Sequence, residues 1–316
     1  MVFTLFKLPI LCLECCLKNM DALDLLFLSF TSRKLLNLIR RTRTSVIRFG
    51  VECDSAGYRT VVTIVRRGGV ENGKWTFNLP FSVPGIKKWI KGWEFMFWRN
   101  PNNSIQSYTT VSHIHEELNL GLAYLMYLFK CKTLRVSITG LTTIDNGKLK
   151  FLIENFRIAE RFEISAPMHS TFQCDPEIFQ SKELVMGGEW ITRDILFGLK
   201  CSCIFLKNCH ILQMKDFEAF IRRWYNSTDT EFRQLAMVVD LPRNRFNLKR
   251  QKLMKWDPEM RSRYYPFNET EALDCENGKD CVRNDGLLAT VLKKQKMFIF
   301  VVWHERHPDV TGLQIV

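Results

Sequence analysis

The stretch LPILCLECCLKNMDALDLLFLSF, Leu8 to Phe30, decides how the chain is read. It is too apolar for a surface segment. It is also too broken by Pro9, Glu14, Lys18, Asp21 and Asp24 to serve as a membrane span, which needs ~18 or more apolar residues. Pro9 suits the first turn of a helix, and Ile10, Leu13, Leu17 and Met20 follow at helical spacing. Asp21 or Asn19 can cap a second helix that carries Leu23, Leu26 and Phe27 on one face. Ser32 can open a third, with Leu35, Leu36, Leu38 and Ile39 inside and Arg33, Lys34, Arg40 and Arg41 outside. So short a segment cannot bury this much apolar surface by itself. The surplus must face the rest of the chain or a partner.

Working outward, the texture changes at Thr44. SVIRFGVE, YRTVVTIVRR and KWTFNLP are short, β-branched and aromatic, with turn residues between them, and predict an antiparallel meander. The segment Pro84 to Asn103, with its run KKWIKGWEFMFW, predicts a helix or a segment wrapped on that sheet. From Ser112, which is placed to cap a helix whose early turns hold Glu116 and Glu117, helices and strands alternate. KTLRVSITG, AERFEISAP, KELVMGG, CSCIFLKNC and RQLAMVVDL read as strands, with helical stretches between them. Strand centres near Val136, Phe162, Val185, Phe205 and Met237 recur at about 20–32 residues, the range of leucine-rich repeats and related solenoids. Ile204, Leu206 and Cys209 match the LxLxxN/C kernel of that repeat. Residues Arg243 to Asp285 read as an irregular polar loop. DGLLATVLKKQKMFIFVVW reads as a closing hairpin turning at Lys294-Gln295. A doubly wound α/β domain is the competing architecture, but no Gly-rich nucleotide loop follows any strand.

The 316 residues are 46% hydrophobic and 25% charged, a globular composition. The formal charge of +12 is spread over Arg40, Arg41 and Arg43, over Lys87, Lys88 and Lys91, over Arg243 to Lys255, and over Lys293, Lys294 and Lys296. Dispersed in this way, it describes a solvated basic surface rather than a nucleic-acid site. The eleven cysteines sit mostly in apolar runs and read as reduced, core-filling thiols. Cys12, Cys15 and Cys16 form a CxxCC and Cys201 and Cys203 a CxC. Neither has a second ligand pair at metal spacing, and no cofactor or metal is expected. MVFTLFKLPILCL lacks the basic start and the unbroken apolar run of a secretory signal, so a cytoplasmic or nuclear protein is expected. The sequons at Asn226 and Asn268 are then chance matches. His113 and His115 beside Glu116 and Glu117 read as a solvated helix start. No nucleophile with a base and orienting group, Walker loop, HExxH or kinase signature is present, so no catalytic residue is expected.

The same N-terminal residues resemble an F-box: a Leu-Pro start, an apolar helix ending near Leu17-Lys18-Asn19-Met20, an Asp-Leu-Leu element, a Leu-Ser, and Ser-Arg-Lys before the last helix. The chain departs from the commoner pattern at Ile10-Leu11-Cys12, which lacks an acidic residue, and at Leu35-Leu36, where many members carry tryptophan. Farther on, GGEWITRDILFGLKCSCIFLKNC, MKDFEAFIRRWYNS, DPEMRSRYY, RNDGLLATV and FVVW stand in the order of an F-box-associated type 2 domain. The resemblance implies an α/β protein: a three-helix F-box at 1–43, then, over 44–316, a β-meander and an irregular leucine-rich-repeat-like β/α solenoid. It implies a non-catalytic substrate-recognition subunit of a Skp–cullin–F-box ubiquitin ligase. Leu8, Pro9, Ile10, Leu13, Leu17, Met20, Leu25, Leu26, Leu28 and Ser29 are the expected docking surface for the Skp-type adaptor, with Ser29 and Lys34 nearer its rim. A protein target, its identity and contact residues unknown, is expected on the sheet face or loops of the second part. Trp190, Trp224, Tyr225 and Trp256 are aromatic anchors there, with a core role as the alternative. Two other functions stay open: a repeat scaffold with no ligase, and a basic nucleic-acid-binding module.

Overall fold

The structure, a computed structural model, describes residues 8–42, 44–56, 59–78, 85–90, 92–108, 114–156, 159–169, 171–239 and 252–316. It is a mixed α/β chain in which N-terminal helices precede extensive β-sheet. The chain forms two compact units, Met1–Pro167 and Met168–Val316.

The first unit opens with α1 (Ile10–Asn19), α2 (Ala22–Ser29) and α3 (Arg33–Arg41). Ser32 caps α3 as its sequence predicts, its side chain accepting from the Leu35 N–H at 3.1 Å. The strands β1 (Val46–Asp54), β2 (Arg59–Arg66) and β3 (Glu71–Asn78) form the expected antiparallel meander. Then come β4 (Ile86–Ile90), β5 (Trp93–Asn100), β6 (Ser104–Tyr108), α4 (Ile114–Phe129), β7 (Leu134–Thr139), α5 (Asn146–Asn155) and β8 (Ala159–Ile164). The strand order is β4-β5-β6-β3-β2-β1-β7-β8. Strands β1, β7 and β8 run parallel, as do β3 and β6; the other pairs are antiparallel. One row of paired residues, Phe162, Val136, Val51, Val62, Trp75 and Ile105, is buried from strand to strand.

Within the segment from Pro84 to Asn103, the described residues 85–90 and 92–103 are not helical: they form the antiparallel pair β4/β5. Its aromatic residues alternate as a strand requires, with Phe95 and Phe97 buried and Trp98 exposed. Phe95 and Phe97 join Trp75 and Phe77 in an aromatic floor, with Trp75 stacked on Phe77 at 4.7 Å and its Nε1–H donating to Ser107 Oγ at 2.8 Å. Helix α4 lies close to this floor at Gly121, where a Cβ would meet Phe77 at 2.6 Å. The close approach explains a glycine in a helix interior despite its ~1 kcal/mol cost.

One turn earlier on α4, Glu117 is 1% exposed, and neither carboxylate oxygen has a hydrogen-bond partner. The solvated helix start predicted for this stretch therefore holds for exposed Glu116 but not for Glu117. Ser112 and His113 lie outside the described residues. Burial, and secondarily Glu116, pushes the Glu117 carboxyl from its ordinary 4.5 up to about 8. The folded chain thus holds a proton that the unfolded chain releases near 4.5, and stability should fall as pH rises from there to about 8. Glu117→Gln, neutral throughout, should remove that slope and exceed the parent by about 2–4 kcal/mol at the alkaline end. Urea unfolding of both proteins across this range checks it. Parallel pH profiles would show that Glu117 does not titrate there.

The second unit contains β9 (Glu183–Gly187), α6 (Arg193–Gly198), β10 (Cys203–Cys209), α7 (Met214–Tyr225), β11 (Gln234–Val239), β12 (Met254–Lys255), β13 (Tyr264–Pro266), β14 (Glu271–Asp274), β15 (Lys279–Val282), β16 (Leu288–Lys294), β17 (Met297–Trp303) and β18 (Gln314–Ile315). Its main sheet has the order β9-β10-β11-β17-β16-β15-β12, and β13-β14-β18 form a small separate sheet. Strands β9, β10 and β11 are parallel, with α6 and α7 between them. The expected hairpin β16/β17 forms, but its turn is Gln295-Lys296, one residue later than the predicted Lys294-Gln295, because Lys294 still pairs with Met297; Gln295 has φ 52°. One face packs on α7 through Phe217–Phe298 at 5.7 Å and Trp224–Phe300 at 5.1 Å. Another cluster joins Ala236, Ile299, Leu292 and Trp303 to Tyr265 and Leu273 of the small sheet.

Residues 243–251 of the expected loop lie outside the described residues, but the remainder of that segment is organised by a buried ion pair rather than irregular. Arg261 and Asp280 are both 0% exposed. Arg261 Nε and Nη2 donate to the two Asp280 oxygens at 2.9 Å each, Nη1 to Ser262 O at 2.9 Å and Nη2 to Cys275 O at 3.0 Å. Thr290 Oγ1 donates to Asp280 at 2.6 Å, and Trp303 Nε1–H donates to Thr290 at 2.8 Å. The guanidinium lies 4.8 Å from the Trp303 ring centroid. The short strands around it are thus tied to β16 and β17.

Candidate functional site

Helix α1 is largely apolar, interrupted by Glu14, Lys18 and Asn19, and its apolar side chains call for cover. The chain itself covers only part of it. Leu13 and Leu17, one turn apart, are 3% and 0% exposed. Ile10 and Leu11 are 58% and 72% exposed, and Cys12, Cys15 and Cys16 are exposed beside them. Leu8 is half-buried and Pro9 exposed, where Pro9 O accepts from the Leu13 N–H at 3.0 Å and begins the helix.

The remaining helices are fastened to the sheet and α4 of the same unit. In α2, Ala22, Leu23, Leu25 and Leu26 are fully buried. The α2 N-terminus is capped from outside the helix: Asn72 Oδ1 accepts from the Ala22 N–H at 2.7 Å, and Asn72 Nδ2 donates to Asp21 at 3.2 Å. Gly73 beside it has φ 145°, and a Cβ there would meet Leu23 at 2.7 Å. Arg66 Nη2 donates to Met20 O at the end of α1. Arg99 pairs with Asp24 at 2.6 Å, and Phe27 and Phe30 pack on Phe97 at 6.0 and 5.5 Å. Ser29 Oγ donates to Leu26 O at 2.5 Å and shares a 2.8 Å hydrogen bond with the Tyr124 hydroxyl, whose pKa burial raises. Arg40 lies over the Tyr127 ring at 3.7 Å.

Of the ten residues expected at the adaptor surface, the structure leaves Pro9 and Ile10 exposed and Leu8 half-buried at the start of α1. Met20 and Leu28 are half-buried, while Leu13, Leu17, Leu25, Leu26 and Ser29 are buried in the chain's own core. Lys34, expected near the rim, is exposed. Leu11, Cys12, Cys15 and Cys16 are exposed as well, and the helical spacing of the leucines did not single them out. The thiols there are solvent-facing rather than core-filling, because Leu13 and Leu17 take the inward stripe. All eleven cysteines are free. Burial pushes Cys203, Cys209, Cys275 and Cys281 up to about 12, so the core thiols Cys209, Cys275 and Cys281 and the half-buried Cys203 are inert. Among the described residues no three His, Cys, Asp or Glu side chains are grouped to hold a metal ion, and no helix is long and apolar enough to cross a membrane.

Of the aromatic anchors, Trp190 and Trp224 are 2% and 3% exposed, whereas Tyr225 and Trp256 are half-buried. Trp190 packs edge-on against Phe172 at 5.0 Å, and Trp256 Nε1–H donates to Arg261 O at 3.3 Å. Within the basic clusters, Lys87 pairs with Glu94 at 2.9 Å. Arg43, Lys91 and residues 243–251 lie outside the described residues.

Comparison with known proteins falls on the same segment. The family model of the F-box domain matches residues 5–44. Two Caenorhabditis elegans proteins are similar to the chain. "Uncharacterized protein F59B2.9" is 33% identical over 136 residues, 40% of this chain and 32% of its own length. "Uncharacterized protein F59B2.8" is 27% identical over 207 residues, 58% of this chain and 47% of its own. The chain thus spans about a third to a half of the length of the curated relatives it matches. No solved structure matches it. The helices α1 to α3, with their outward apolar face, are an F-box domain at residues 5–44 of this chain.

Proposed function

We propose that the chain is the substrate-recognition subunit of a Skp–cullin–F-box ubiquitin ligase. The observation that carries this is the α1 face inside the F-box segment, where Ile10 and Leu11 stand 58% and 72% exposed on a helix otherwise fixed to the protein. A Skp-type adaptor would cover Leu8, Pro9, Ile10 and Leu11 with the three thiols, and Met20 and Leu28 would border the contact. Leu13, Leu17, Leu25, Leu26 and Ser29 would act from beneath by fixing the helices that present it. An ordinary interface of roughly 800 Å² per partner fits such a helix with its neighbours.

Residues 44–316 would hold the target. The order of their motifs supports an F-box-associated type 2 domain, and the parallel strands β7-β8 and β9-β10-β11, each joined through a helix, support irregular leucine-rich-repeat-like units. The chain would make and break no bonds. It would raise the effective concentration of target lysines near the conjugating enzyme, in the cytoplasm or nucleus where unpaired thiols persist. The purified chain and a Skp-type adaptor should co-elute as one complex at about 10 μM each, as a micromolar or tighter Kd requires. Separate elution at that concentration would remove the reading.

A further inference from the structure

Strand β4 ends the sheet of the first unit. β5 pairs with it along one side, and among the described residues no strand lies along the other. Such an edge presents backbone N–H and C=O groups that a further strand can pair with. Proteins usually blunt an edge with charge and keep large apolar side chains from standing exposed on it. β4 does only the first. It carries Lys87 and Lys88, yet Trp89 is 65% and Ile86 56% exposed. The register fixes how these side chains lie. Trp89 stands opposite Glu94 and Lys87 opposite Met96, so both share a face with the exposed Trp98. The helices pack on the other face, where Phe97 meets Phe27 and Phe30.

The two lysines select the occupant. Lys87 is engaged by Glu94 at 2.9 Å. Lys88 is half-buried and has no ion-pair partner among the described residues. A second copy of this strand is a poor match. Antiparallel overlap along the whole of Ile86–Ile90 puts Lys88 opposite the same residue of the copy. Parallel overlap in register does so for both lysines. Like charges directly opposite destabilise a strand pair, and opposite charges stabilise it. The edge therefore favours a foreign strand with an acidic residue opposite Lys88 and an apolar residue next to it, opposite Trp89.

We propose that β4 takes up an extended segment of a protein target as an added strand, with an acidic side chain opposite Lys88 and an apolar one packed on Trp89. The proposal deepens the receptor reading above and rests on it. Main-chain pairing supplies the affinity, and the two side-chain contacts supply the specificity.

The test uses the full chain with ¹⁵N-labelled tryptophan. The probe is acetyl-Thr-Val-Glu-Val-Thr amide, whose symmetric order keeps its glutamate opposite Lys88 in either strand direction. The indole resonance that vanishes in Trp89→Phe should move saturably at about millimolar probe. By saturation-transfer measurement on the probe, lysine in place of its glutamate should weaken binding about fivefold. Lys88→Glu should reverse that preference. Trp89→Ala should weaken both probes about fivefold. Neither is a core position, so both variants keep the fold. N-methylation of the two valines blocks one edge of the probe, and N-methylation of the glutamate and threonines blocks the other. One methylated form should bind and the other should not. A still resonance at about 10 mM probe, equal binding of the glutamate and lysine probes, or equal effects of the two methylation patterns overturns the proposal. Self-association of the chain that Trp89→Ala abolishes overturns it too, by giving the edge to a second copy. Adaptor binding is scored on the same sample. An intact complex without probe binding sinks the edge proposal alone, and probe binding without a complex sinks the receptor reading alone.

Discussion

Ile10→Asp together with Leu11→Asp should abolish capture of a Skp-type adaptor while leaving the protein as stable as before. Both side chains already stand in water, so the folded state loses little, within about 0.5 kcal/mol, when they become polar. The complex loses much more. Burying an aliphatic side chain of this size contributes ~1.5–3 kcal/mol, so two contribute about 3–6 kcal/mol, or about 10²–10⁴ in Kd. Leu17→Asp should also abolish capture, but by unfolding: it places a charge at a fully buried position beneath the same helix. Thermal melts separate the two mechanisms. Undiminished capture by the double variant would show that the outer α1 face is not the adaptor's seat.

The largest stability effect should come from the other end of the chain. Asp280→Ala strands the Arg261 guanidinium, 0% exposed, with two backbone carbonyls and no counter-charge. Breaking a buried pair from one side costs about 3–5 kcal/mol. Against a typical stability of ~5–15 kcal/mol, that threatens folding of the second unit. Replacing both partners, Arg261→Met with Asp280→Leu, should recover most of the loss, because the pair's Coulombic gain largely offsets its own desolvation. Denaturant unfolding of the two variants decides the matter. A loss below about 1 kcal/mol for Asp280→Ala would mean that water or a rearranged carbonyl takes the carboxylate's place.

Much of this fold is written locally. Ser32 announces α3, β-branched runs announce β1 and β2, and the alternation of apolar strand and amphipathic helix announces β7 through β11. What sequence periodicity does not encode is which side of an apolar helix meets its own chain. Leu25 and Leu11 are the same residue type, yet one is buried and the other exposed, because Asn72, Gly73 and the Phe97 ring are supplied from a distant sheet. The β4/β5 hairpin was ambiguous for a related reason. Trp89, Trp93 and Phe97 stand four apart, a helical interval, while Phe95 and Phe97 stand two apart. The strand wins because the aromatic floor of Trp75 and Phe77 accepts the second set. Glu117 gave no hint of burial, since a helix start beside Glu116 ordinarily faces water. Arg261 and Asp280 lie 19 residues apart in a polar stretch, and nothing local pairs them.

The two-sided character of α1 has a further consequence. Its inner leucines and its outer isoleucine and leucine belong to one rigid rod, so whatever clasps the outside also holds down the inside. A partner at a hundredfold excess over its Kd would add about 2.7 kcal/mol to the folded state. An orphan copy should therefore be both stickier and shorter-lived than an assembled one, which would couple the chain's own abundance to the supply of its companion.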